Sequence, residues 1–446
     1  MDTLKEKHDH NPLTFPDGFL WGAATSAHQV EGDNKNSDWW HWEEKVQPPE
    51  MRSGIAADHY HKYKKDFELA KSLNHNAHRL SIEWARIEPK EGVFDQEQID
   101  HYKEVLGNLK EQGFEVMLTL HHFTSPQWLA AKGGWENGKV IAYFERFVER
   151  IVPEFKMFVD LWITINEPSV YVYNGFITGV WPPQKKNKFA AAKVYWNMAI
   201  AHKKAYYVIH KYVQNAMVGI AHNAASYSHL HHHSLREALA VWGYDVGTNH
   251  LFFYLTGHET HDFIGLNYYF NKYISFNGES HIPGTLDITR IRKDATDMGW
   301  EVHPEGIFSV IMDFSDYHKP VYITENGLAS TNDDRRARFL ISYLKEIYHA
   351  INLGVEVKGY FHWSLMDNFE WADGFGPRFG LIEIDYKTLT RTPRPSAYLY
   401  AEIARDNHIP HHFMQLIGHS IDVEEILEEG DPHDHDVHAK KHAHTN

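Results

Sequence analysis

The chain alternates short, almost unbroken apolar runs with longer stretches in which apolar residues recur every three or four positions. Eight runs are strand-like, at 19–32, 77–89, 114–123, 157–168, 218–226, 262–270, 320–327 and 357–367. "FEVMLTLHHF" and "MFVDLWITINEP" show the type. Both are apolar on two faces, as strands are when a parallel sheet is covered on each side. Between the runs the period becomes helical. Ile99, Tyr102, Leu106 and Leu109 form one stripe, closed by Gly113. Phe144, Phe147, Val148 and Ile151 form a second, ahead of Pro153. Phe339, Leu340, Tyr343, Leu344, Ile347 and Ile351 form a third, which ends at Gly354 just before the eighth run. Helices that stop on glycine and lead straight into a strand mark βα units. Eight of them predict an α/β fold, a single (β/α)8 TIM barrel. The barrel is assigned to residues 12–408. A polar extension covers 1–11, and a second covers 409–446, histidine-rich and expected to be disordered from about 430. One unit is irregular: only about 35 residues (227–261) separate the fifth strand from the sixth. The stretch 271–300 is weakly periodic and reads as loop.

Composition sharpens this picture. The net charge of −16, with no basic block to offset it, argues against a nucleic acid or an anionic membrane as partner. The absence of cysteine excludes disulfides, thiol catalysis and thiolate metal sites. The N-terminus lacks the apolar core of a signal peptide, and no stretch approaches 18 apolar residues, so a cytoplasmic protein is expected. Aromatic residues are plentiful, with 14 Trp, 24 Tyr and 25 Phe, which suits a core and equally suits the flat C–H faces of sugar rings. Histidine concentrates in 229–234 and in the tail 431–446, neither of which has apolar periodicity; both read as solvated segments, with only adventitious affinity for metal.

Two strand-like runs end on carboxylates. "ITINEP" carries Glu167 and "ITENG" carries Glu325. A carboxylate closing an apolar strand is costly unless something there uses it. In a parallel barrel the functional site gathers at the C-terminal ends of the strands, and strands four and seven face each other across the mouth. The two glutamates are thus distant in sequence and expected to be close in space. Paired carboxylates across a cleft suit glycoside chemistry, one giving a proton to the leaving oxygen while the other attacks the anomeric carbon or activates water.

These motifs, in this order, resemble the acid/base and nucleophile motifs of glycoside hydrolase family 1. The resemblance runs through "FPDGFLWGAATSAHQVEG", "RLSIEWARIEP", "TLHHF", "GLNYY" and "GYFHWSLMDNFEWADGFGPRFGLIEIDYKTLTRTPRPSAYLY", nearly the whole chain. It implies that Glu167 is the general acid/base and Glu325 the nucleophile of a retaining enzyme, with carboxylates roughly 5–5.5 Å apart. It implies that Arg79 keeps the nucleophile ionised, that Tyr269 hydrogen-bonds it with Asn267 alongside, and that Asn166 holds the sugar 2-hydroxyl. Gln29, His122, Glu370 and Trp371 match residues that grip the non-reducing sugar. Trp363 matches the platform beneath the ring, and Phe379 lines the same wall. His122 rather than His121 takes the sugar-binding place, and Phe123 stands where the family usually has tryptophan. Glu370 occupies a position that members acting on 6-phosphorylated sugars give to a small polar residue.

The resemblance therefore implies hydrolysis of β-glucosides, and plausibly β-galactosides or β-fucosides, through a covalent glycosyl-enzyme. The partner would be a small β-glycoside or short oligosaccharide. A transglycosylase and a non-catalytic sugar-binding relative are the alternatives. No metal or cofactor is expected, since two carboxylates supply both acid and nucleophile. Typical members are longer between strands five and six, so this region is shortened here. A more open leaving-group side and lower local stability are the expected results. Asn223 is assigned to that side, and the oligomeric state is left open.

Overall fold

The computed structural model describes residues 12–229, 234–274 and 295–417. Eight parallel strands close into a barrel: β1 (Leu20–Ala24), β2 (Ala77–Ser81), β3 (Glu115–His121), β4 (Leu161–Asn166), β5 (Met217–His229), β6 (Ile264–Ile274), β7 (Val321–Asn326) and β8 (Val357–Trp363). The ring closes where Leu20 to Ala24 pair with Gly359 to Trp363. Each strand lies within or beside a run that the sequence marks. Along β2, β4 and β7 every residue is buried, because the inner face packs on the barrel interior and the outer face on helices.

One long helix follows each strand: α1 (His59–Ser72), α2 (Gln96–Glu111), α3 (Val140–Phe155), α4 (Lys188–Tyr212), α5 (Leu235–Asp245), α6 (Pro304–Phe314), α7 (Asp333–Asn352) and α8 (Pro395–Asp406). Their apolar stripes make the outer core. In α3 these are Phe144, Phe147, Val148 and Ile151, all fully buried. The sequence places the end of α3 ahead of Pro153, yet the helix continues to Phe155. Proline costs one internal hydrogen bond there, near enough to the terminus for the buried Val152 and Phe155 to outweigh it. Among the described residues no helix is long and apolar enough to cross a membrane.

Three boundaries depart from the sequence reading. The packed body does not stop at residue 408. His408 and Ile409 pair with Thr14 and Leu13, and a 3-10 turn (His411–Leu416) buries Phe413 and Leu416 in the outer core. The rest of the assigned extensions, 1–11 and 418–446, lies outside the described residues, as does most of the histidine run at 229–234. The stretch 271–300 is not all loop. β6 continues to Ile274, and paired with it β5 runs 13 residues, so the two strands rise beyond their neighbours. The residues 275–294 fall outside the description. The shortened region is compact: α5 passes into a π-helical turn (Val246–His250) and a further helix (Leu251–Thr256) before β6 begins.

Candidate active site

The strand ends open into a cavity of about 610 Å³. Eleven of the thirteen residues singled out in the sequence line it: Gln29, His122, Asn166, Glu167, Asn223, Tyr269, Glu325, Trp363, Glu370, Trp371 and Phe379. Arg79 and Asn267 stand behind this surface and position it.

Local sequence explains how the two glutamates are presented. Glu167 follows the last residue of β4 in a left-handed conformation (φ 43°, ψ 63°), with Pro168 starting a short helix immediately after it. Its amide donates to the Ala221 carbonyl at 2.8 Å, which holds the turn against β5. Glu325 lies within β7, one residue before its end. The glycine that follows the pair Glu325-Asn326 is required by contact. A Cβ on Gly327 would stand 1.8 Å from the Trp363 carbonyl oxygen, so only glycine lets the ends of β7 and β8 approach so closely.

Both carboxyls are buried, and their partners differ. Glu325 Oε1 accepts from Arg79 Nη1 at 2.6 Å, and its Oε2 accepts from the Tyr269 hydroxyl at 2.7 Å. Glu167 has no cation. Its Oε1 accepts from Asn267 Nδ2 at 2.8 Å and from Asn223 Nδ2 at 3.2 Å. Burial, followed by the charge of Glu325, pushes the Glu167 carboxyl up to about 8. Burial raises Glu325 as well, opposed by Arg79 and the Tyr269 hydrogen bond. Since the guanidinium is bonded to Glu325 and not to Glu167, the carboxyl of the pair that keeps a proton is Glu167.

Arg79 organises the floor. Besides Glu325, it donates to the Thr324 carbonyl at 3.0 Å and to Asn166 Oδ1 at 2.6 Å. Asn166 also accepts from Asn267, and its Nδ2 donates to His122 Nε2 at 3.2 Å. That bond leaves the His122 proton on Nδ1, a buried donor with no partner among the described residues. Burial holds His122 neutral, its pKa well below the usual value. His121 turns away and accepts from the Trp135 indole at 3.1 Å.

The residues that the sequence assigns to gripping a sugar form one connected wall. Gln29 Nε2 donates to the Phe369 carbonyl at 2.8 Å, to Asn368 Oδ1 at 3.0 Å and to Glu370 Oε2 at 3.3 Å, while Ser26 donates to its Oε1 at 2.7 Å. Burial, with the charges of Asp373, Glu325 and Glu167, raises Glu370 to about 8. Trp371 lies nearly parallel to His28 and His122, and the His122 ring is nearly parallel to Trp363. Asn223, assigned to the leaving-group side, lines the cavity with its amide already committed to Glu167.

Sequence reasoning missed several lining residues. Trp181 packs on Phe123 with centroids 5.0 Å apart, thickening the wall where the sequence has phenylalanine. Its signal was a tryptophan beside "PP" in the segment after strand four. Thr248 from the π-helical turn, Lys272 from the end of β6, and Met298 and Trp300 beyond it also line the cavity. They sit where the sequence has no period. The described residues contain one cluster at metal-holding distance, Asp245, His250 and Asp313. It does not line the cavity, and His250 Nε2 is held by Asp313 at 2.7 Å as an ion pair.

Comparison with known proteins agrees with this architecture. A sequence model of glycosyl hydrolase family 1 matches residues 11–254 and 249–409. Beta-glucosidase A of Thermotoga maritima is 32% identical over 444 residues, covering 89% of this chain and 99% of that enzyme. A beta-galactosidase of Pyrococcus woesei is 31% identical over 503 residues, covering 88% and 97%. The solved beta-glycosidase of Pyrococcus horikoshii superposes with a TM-score of 0.85 at 37% identity, covering 92% of this chain and 99% of that one. With the barrel, the buried carboxyl pair and these matches together, the chain belongs to glycosyl hydrolase family 1.

Proposed function

We propose that this family 1 enzyme hydrolyses β-glucosides, and β-galactosides with them, by two displacements in which Glu325 is the nucleophile and Glu167 the acid and then the base. The observation that carries the assignment is the asymmetry of the pair: Arg79 is bonded to Glu325 at 2.6 Å, and Glu167 has only amide donors. The names of the Thermotoga and Pyrococcus relatives support the two sugar classes.

In the first step a Glu325 oxygen bonds to the anomeric carbon as the bond to the leaving oxygen breaks, and the Glu167 proton passes to that oxygen. Forming the glycosyl ester removes the charge of Glu325 and with it one of the causes that hold Glu167 protonated. Glu167 then takes a proton from water, which attacks the anomeric carbon and releases Glu325. His122 Nδ1 and the Asn166 amide offer donors to sugar hydroxyls, and Trp363 offers a ring face. Glu370 is buried with no cation bonded to it among the described residues and so offers a sugar phosphate no counter-charge, which disfavours phosphorylated substrates.

The test is hydrolysis of 4-nitrophenyl β-D-glucoside by the wild type, Glu325→Ala and Glu167→Ala. Loss of the nucleophile lowers kcat by roughly 10⁴-fold or more, and loss of the acid/base by about 10²–10⁴-fold. A Glu325→Ala enzyme at wild-type rate would sink the assignment. The acid form of Glu167 disappears as pH rises through about 8. The wild-type kcat/KM therefore falls on its alkaline side near that pH, and a profile flat to pH 10 contradicts the role given to Glu167.

A further inference from the structure

We infer that Lys272 makes the leaving-group end of the cavity a subsite for an anion, so that the preferred substrates are β-glycosides whose leaving group carries a carboxylate. The inference rests on the glycosidase reading above and adds the chemical class of the leaving group.

The placement of Lys272 follows from an irregularity in strand pairing. Ala224 pairs with Tyr268, but the next pair is Ser226 with Asn271. A single residue of β5, Ala225, thus faces two of β6, Tyr269 and Phe270. Such a bulge reverses which side chains point to which face. Before it, Asn267 and Tyr269 face the carboxyls, and the Tyr268 hydroxyl meets Ser226 on the outer side. After it, Asn271 is the residue that meets Ser226, while Phe270 and Lys272 line the cavity. Simple alternation would have turned Lys272 away.

Among the described residues no carboxylate meets this lysine. No ion pair or hydrogen bond joins it to a described residue, and its ammonium stands 5.0 Å from the centre of the Phe270 ring. Its pKa is lowered by burial alone, with no opposing charge. An unpaired ammonium partly removed from water is costly, and an anion brought alongside it recovers part of that cost. The rest of the cavity offers an anion no second cation, because Lys272 is the one lysine or arginine among its described lining residues and Arg79 behind them is already bonded to Glu325. A charged substrate is therefore oriented with its anion at Lys272 and its neutral sugar at the carboxyl pair. Thr248, Met298 and Trp300 complete this end with a hydroxyl and apolar surface, which suits a phenolic acid or a uronate.

The experiment compares the β-D-glucoside of 3-(4-hydroxyphenyl)propanoate with that of its amide. Two methylenes insulate the phenol from the charge, so the departing oxygens are matched. The readout is the acid-to-amide ratio of kcat/KM within each protein, in which any general loss of activity cancels. The wild type is expected to favour the acid by about tenfold, chiefly through KM, with the preference shrinking in concentrated sodium chloride. Lys272→Met brings the ratio to about one, Lys272→Glu takes it below one, and Lys272→Arg keeps it. A wild-type ratio near one, or a preference unchanged in Lys272→Met, overturns the inference while leaving the glycosidase intact. Failure of the wild type to cleave 4-nitrophenyl β-D-glucoside overturns the glycosidase reading and this one with it.

Discussion

The two ends of the cavity are built differently. At the end assigned to the sugar, Gln29 is fixed by four hydrogen bonds and Trp371 lies nearly parallel to the rings of His28 and His122, so each donor and ring is held in one orientation. At the leaving-group end, Trp300 is placed by ring contacts at 5.4 Å to Tyr269 and 5.6 Å to Phe270, and Lys272 has no polar partner among the described residues. Directional bonds discriminate between hydroxyl stereochemistries, whereas surface contact and a single charge discriminate only by size and sign. The sugar is expected to be read strictly and the leaving group loosely.

The sharpest way to break this contrast is Glu370→Ala. It removes a carboxyl that is buried among sugar-binding groups and leaves Gln29 short of one acceptor. The expected loss in kcat/KM is about a thousandfold, the same for every leaving group. Steady-state kinetics on a methyl and an aryl glucoside check it, and a loss confined to one of them would contradict the division between the two ends. Trp300→Ala probes the other end. The expected change is about tenfold, in KM rather than kcat, and larger for aryl than for methyl glucosides.

The smallest effect concerns the support of the leaving-group wall. His250 ends the π-helical turn that carries Thr248. Burial lowers its pKa, but hydrogen bonds and charges from Asp245 and Asp313 outweigh burial and lift it to about 9. The folded value lies above the unfolded one near 6.5, so the ion pair's contribution is complete below about pH 6.5 and is lost as pH rises through about 9. Asp313→Asn is expected to cost only about 1 kcal/mol, since the Asp313 side chain is 39% exposed. In thermal unfolding, the gap between wild type and variant is widest near pH 6 and closes by about pH 10. A gap independent of pH would mean that the ion pair is not its source.

The sequence discloses most of the barrel, because strands buried on both faces must be apolar almost without interruption, as β4 and β7 are. It discloses the carboxyl pair for the opposite reason: Glu167 and Glu325 break such runs where a charge would otherwise be wasted. What escapes is set by features without a period. Trp181, Met298 and Trp300 reach the cavity from segments outside regular elements, and Lys272 reaches it because of a bulge that leaves no mark in the composition of β6. The end of the packed body is missed at 408 because Phe413 and Leu416 lie in a turn too short to show a stripe.

The bare position at Gly327 has a consequence for tolerance. With the Trp363 carbonyl lodged where a side chain would stand, the strand bearing Glu325 and the strand bearing Trp363 are butted together like two faces of a jig. Under the proposed roles, a sugar ring resting on Trp363 would be gauged against Glu325 by main-chain contact.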